Sequence, residues 1–147
     1  MLLNTASAVI SFLTKLEEET AKFYADLAQK YPEGKETFTF FSRDNQKNKN
    51  MLERAYYGVI TDALEACFSF KEGLNPEAYK VETKIAEEAS YLDALNIALK
   101  MEENIHKAYT DAASLSEALM ADVPQTLIKI ANKRNERISK LKTLIKG

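Results

Sequence analysis

A carboxylate placed where an amphipathic helix should be most apolar constrains this chain more than any other feature, and the sequence states it twice. The first copy is Leu16-Glu17-Glu18-Glu19-Thr20-Ala21-Lys22-Phe23-Tyr24-Ala25-Asp26-Leu27-Ala28. At about 100° per residue, Ile10, Leu13, Tyr24 and Ala28 all fall within about 40° of Glu17 on a helical projection. Glu17 therefore stands in the middle of the apolar stripe. The second copy is Met101-Glu102-Glu103-Asn104-Ile105-His106-Lys107-Ala108-Tyr109-Thr110-Asp111-Ala112-Ala113, in which Glu102 lies among Leu95, Ala98, Ile105 and Tyr109 on the same kind of face. The Glu, Lys, Tyr, Asp and final Ala recur at matching offsets. Since a buried carboxylate is costly unless paired, any fold that accepts both helices must bring cations or hydrogen-bond donors to their inner faces.

With 4 glycines and 3 prolines in 147 residues, the chain favours long helices over a turn-rich sheet, and the expected class is all-α with residues 1–147 as one domain. A formal net charge of −2 with interspersed signs gives no electrostatic footprint for nucleic acid and no polybasic patch for a membrane. The single cysteine, Cys67, has no partner for a disulfide or a cysteine-based metal site. Met1 to Leu13 is mildly apolar but lacks a basic leader and a small-residue cleavage motif, and no run approaches the length of a membrane span. These features predict a soluble, cytoplasmic protein.

Four helices are legible. The first starts near Asn4 or Thr5 and runs to about Gln29, before Tyr31-Pro32-Glu33-Gly34 breaks it. The second covers about Glu36 to Glu65, with Phe38, Phe41, Leu52, Ala55, Val59 and Ala63 on one face. Cys67 to Lys80, with Gly73 and Asn75-Pro76, breaks the pattern and is read as a long crossover containing a short helix capped by Asn75. A third helix is expected over about Glu82 to Leu115, with Ile85, Leu92, Leu95, Leu99 and Ile105 at helical spacing. The fourth follows Asp122-Val123-Pro124 and continues nearly to Lys146. Short connections make two αα-hairpins, and the long middle connection favours a crossover bundle over a simple up-down-up-down one.

The second and fourth helices carry polar interruptions as well. Relative to Asn45, the side chains of Phe38, Phe41 and Leu52 fall within about 40° and Asn48 lies about 60° away; relative to Arg134, Leu127, Ile130, Ile138 and Leu141 fall within about 40° and Arg137 lies about 60° off. Glu17, Asn45, Asn48, Glu102, Arg134 and Arg137 are thereby predicted to meet in one central polar layer.

On these residues the chain resembles the rubrerythrin and ferritin-like four-helix domains of the di-iron carboxylate type, over nearly its whole length. That family sets a Glu seven residues before a Tyr on helices 1 and 3, as Glu17 and Tyr24, and Glu102 and Tyr109, stand here. Its helices 2 and 4 each supply Glu-x-x-His between an apolar residue seven before and another four after, a frame matched by Phe38 and Leu52 and by Leu127 and Leu141. The resemblance implies a ferritin-like bundle, and it implies iron or manganese with peroxidase or ferroxidase chemistry if the ligands are present. They are not: Asn45-Gln46-Lys47-Asn48 and Arg134-Asn135-Glu136-Arg137 occupy the two motifs. Arginine stays protonated and has no acceptor, so it cannot ligate a metal. Two carboxylates facing two guanidiniums make a neutral layer, and the expectation is a degenerate metal site rewired as a Glu/Arg/Asn network, without cofactor and without redox catalysis. The positive role left by this reading is protein interaction or structure.

The alternative is an oxidoreductase that keeps one iron or manganese ion through Glu17, Glu102 and His106, the only histidine. Glu103 and His106 spell Glu-x-x-His, but Glu103 lies about 100° from Glu102, at the helix edge. A third class is a small-molecule binder using the polar layer as its pocket. Lys49 lies about 40° from Asn45 and either points inward or snorkels to solvent. Tyr24 and Tyr109 are explained as buried hydroxyls bonded to a nearby carboxylate, and Cys67 as a small buried hydrophobe. No Gly-rich phosphate loop or nucleophile elbow is present. The run Phe38-Thr39-Phe40-Phe41 cannot turn all its rings to one side, which predicts an outward aromatic surface and a homodimer.

Overall fold

Side-chain caps set where the first and third helices begin in the structure, a computed structural model that describes residues 2–61, 69–116 and 122–147. Helix α1 (Ala6–Lys30) starts where the Thr5 hydroxyl accepts from the Ala8 amide at 3.1 Å, and it ends at Tyr31 before a 3-10 turn over Pro32–Gly34. Helix α2 (Lys35–Thr61) follows at once, and the Gly34 position has no room for a side chain: a Cβ there would come within 2.7 Å of both the Phe38 and Tyr91 rings. Helix α4 (Val123–Lys146) carries Pro124 in its first turn, and the expected Asp122 cap makes no side-chain hydrogen bond. Of the expected positions in the second helix and crossover, Ala63, Glu65, Cys67 and Phe68 lie outside the described residues, as do the side chains of Val59 and Phe70.

Helix α3 (Tyr91–Leu115) begins later than the expected Glu82. Ser90 and Asp93 form a reciprocal capping box, in which the Ser90 hydroxyl accepts from the Asp93 amide at 3.1 Å and the Asp93 carboxylate accepts from the Ser90 amide at 3.0 Å. The helix-favouring residues before Ser90 are held instead in a non-helical path with a turn at Glu87-Glu88, where Lys30 donates to the Ala86 carbonyl and Tyr31 to the Ala89 carbonyl. Ile85 packs against the core from this path, and Leu92, expected inside, is exposed because it lies about 80° from the centre of the α3 stripe.

A small antiparallel ribbon that periodicity did not reveal pairs strand β1 (Leu3–Thr5) with strand β2 (Ser69–Leu74), in register Leu3 to Leu74 and Thr5 to Ser69 with an irregularity between. Gly73 takes φ 77° there, a conformation that suits a bulged strand and disfavours other residues. After β2 comes a 3-10 turn over Pro76–Tyr79, with Asn75 accepting from the Glu77 amide as the sequence suggested.

Side-chain contacts fix the helix directions. Asn48 reaches Glu17 and Ser42 reaches Ala21, so α1 and α2 are antiparallel; Tyr24 reaches Glu102 and Tyr109 reaches Glu17, so α1 and α3 are antiparallel too. Hence α2 and α3 run the same way, and the intervening chain must travel back along the bundle. It does so from the β1 end, past α3 where Tyr79 donates to Asp111 and the Lys80 carbonyl accepts from Asn104, to the end of α1. This excludes the up-down-up-down order. The core between the hairpins is built from Val9, Leu13, Phe38, Leu52, Leu95 and Ile105, with Leu127 and Leu141 from α4. No helix among the described residues is long and apolar enough to cross a membrane.

Candidate functional site

The polar positions on the four inner faces come together at mid-bundle. Glu17, Asn45, Asn48, Glu102, Arg134 and Arg137 are all buried, and Arg134 is the bulkiest of the fully buried side chains. Its guanidinium occupies the space between the two carboxylates. Nη1 donates to Glu102 Oε1 at 2.9 Å and Oε2 at 2.8 Å, while Nη2 lies 2.8 Å from Glu17 Oε2 and 3.3 Å from the Thr20 hydroxyl. The planar fork thus joins α1 to α3 from α4, a geometry that a lysine could not reproduce.

Two tyrosines complete the carboxylates crosswise. Tyr24, from the same helix as Glu17, donates to Glu102 at 2.5 Å; Tyr109, from the same helix as Glu102, donates to Glu17 at 2.6 Å. The repeat in sequence therefore becomes an exchange in space, because helices running antiparallel bring each Glu beside the other copy's Tyr. Asn48 adds a third partner to Glu17 at 3.2 Å. Arg137 lies over the Tyr24 and Phe41 rings, donates to the Phe41 carbonyl at 3.0 Å, and stands 3.3 Å from Glu102 and 3.4 Å from Asp44.

Thr20, Asp44 and Lys133 were not foreseen as members. Lys133 bonds Asn48 Oδ1 at 2.6 Å and Asp44 at 3.0 Å, closing the layer toward solvent between α2 and α4. A signal existed: Asp44 precedes Asn45 as Lys133 precedes Arg134, so each is the first residue before its helix's polar motif. Lys49, the lysine weighed from the sequence, turns outward to Glu18 at 3.3 Å. Asn45 also departs from expectation. Although 1% exposed, it has neither amide atom paired among the described residues, and the Nε atoms of Arg134 and Arg137 find no partner there either. Asn45 is the α2 counterpart of Arg134 in the repeated frame, and the arginine's fork already spans both carboxylates.

The charges hold one another. Burial alone would raise the Glu102 carboxyl, but the Arg134 and Arg137 guanidiniums, with the Tyr24 hydrogen bond, keep it below the usual carboxylate range. Burial opposes the charge on Arg134, and the pull of Glu102 and Glu17 overcomes it and raises the group well above the ordinary value. Burial, reinforced by the adjacent carboxylates, pushes the Tyr24 and Tyr109 phenols well above theirs.

No protein-family model and no curated protein matches this chain. Its chemistry must therefore be read from the layer itself. Among the described residues, no group of three or more His, Cys, Asp and Glu side chains is placed to hold a metal ion. His106 is half-buried on α3 and does not join Glu17 and Glu102 in such a group. The two carboxylates offer anionic oxygens, yet a guanidinium fills the space they face, so the donor set does not fit iron or manganese.

Proposed function

We propose that this chain is a ferritin-like four-helix protein in which ion pairs have taken the place of metal ligands, and that it serves as a rigid structural or protein-interaction module rather than an oxidoreductase. The carrying observation is the Arg134 guanidinium, 2.8 Å from both Glu17 and Glu102. A cation fixed covalently to α4 supplies the charge that the resemblance would assign to metal, and it cannot leave, exchange ligands or change oxidation state. Support for the ferritin-like part comes from the parallel course of α2 and α3, the crossover between them, and the Glu and Tyr pairs repeated on α1 and α3. A cytoplasmic setting belongs to the same reading. The homodimer belongs to the same reading: Phe38 and Phe41 of the aromatic run are inside and Phe40 turns outward.

Metal analysis of protein produced in iron- and manganese-rich medium tests the proposal. The expected result is no stoichiometric metal. Near-stoichiometric metal that disappears in Glu102→Ala would overturn it in favour of a redox or metal-binding role.

A further inference from the structure

A cavity of about 540 Å³ opens along the seam between α2 and α4, outside the buried layer, with Arg137 reaching from one into the other. Its volume lies within the range of small-molecule sites. Its floor is already satisfied: Asp44 pairs with Lys133 and Arg137, and Arg137 packs on Phe41. Its rim is not. Glu36, Glu136 and Lys140 are exposed and form no ion pair among the described residues, even though Glu136 and Lys140 stand four residues apart, the spacing at which helical neighbours commonly pair. Beside them Phe40, 61% exposed, lines the same cavity, so its ring is open to a molecule bound there.

The rim therefore offers two exposed carboxylates and an exposed ammonium, unpaired among the described residues, and an exposed aromatic face around a cavity with a charged, self-paired floor. A simple anion would meet two carboxylates, and a simple apolar molecule would strand the rim charges from water without pairing them. A molecule bearing its own ammonium and carboxylate, with an aromatic body to cover Phe40, satisfies all three features at once. We propose that this cavity binds a zwitterionic α-amino acid with an aromatic side chain: its ammonium on Glu36 and Glu136, its carboxylate on Lys140, and its ring against Phe40.

The test is a two-dimensional NMR titration of the full chain with L-phenylalanine into the millimolar range, with phenethylamine and 3-phenylpropionate as probes lacking one charge each. The expected result is a saturable shift confined to residues 36–44 and 133–140, several-fold weaker binding of both single-charge probes, and loss of the shift in Phe40→Ala and in Lys140→Glu. Both substitutions are at exposed positions, and unchanged spectra elsewhere verify that the variants fold. No saturable shift in the wild type, shifts that persist in both variants, or phenethylamine binding as well as phenylalanine would each overturn the proposal.

Discussion

The hydroxyl of Tyr24 on α1 donates to the carboxylate of Glu102 on α3 at 2.5 Å, across 78 residues of sequence. Its counterpart from Tyr109 to Glu17 closes the same link in the opposite sense. Together they fix how α1 and α3 align, and both phenols must stay protonated to donate.

That requirement predicts alkaline sensitivity. Burial, then the neighbouring carboxylates, raise both phenols well above the ordinary value of 10.0 in the folded protein. Their contribution to stability is fully present below the unfolded phenol's pKa, and it is lost as pH rises from there toward the folded one. Each such group should cost about 1.4 kcal/mol of stability per pH unit over that window. Tyrosinate absorbance followed beside helical circular dichroism should show these two phenols ionising only as the helices melt. Their ionisation with helicity intact would contradict the geometry.

Asn45 gives the opposite kind of prediction. Its amide is buried with neither atom paired among the described residues, so it bears a desolvation cost with no hydrogen bond from them to offset it. Asn45→Leu, close in shape, should stabilise by about 1 kcal/mol, raising Tm by about 2–4 °C. A fall of similar size in thermal unfolding would mean that the amide is engaged.

The repeated frame predicts what would reverse the charge substitution. A variant carrying Asn45→Glu, Asn48→His, Arg134→Glu and Arg137→His places four carboxylates and two imidazoles in the layer, a donor set suited to two divalent cations. It should be poorly stable without metal and gain thermal stability on adding ferrous or manganous ion, whereas the wild type should not respond. Equal responses from the two proteins would undermine the layer's assignment.

How far the site could be read from the sequence follows from what each signal measures. Helical periodicity reports direction, so it placed Glu17, Glu102, Arg134 and the inner asparagines on buried faces, and it wrongly counted Leu92, which lies at the edge of the stripe, as inward. Periodicity carries no information on reach. Lys133 and Lys49 are both long side chains near the layer, and only packing decided that the first bonds Asn48 while the second meets Glu18. The late start of α3 was written in Ser90 and Asp93, a local capping signal outweighed by the helix formers before it. The β1 and β2 ribbon left no trace because its pairing is between distant, short segments, with β1 at the start of α1. Asn45 looked like a partner for the carboxylates, and it is not one because Arg134 spans both.

Equilibrium unfolding of Arg134→Met tests the central claim most directly, since methionine keeps bulk at the site while removing the cation that joins Glu17 to Glu102. Leaving two buried carboxylates with one fewer guanidinium should cost about 3–5 kcal/mol. An unchanged unfolding free energy and Tm would contradict the account, because it would mean that the layer does not depend on Arg134.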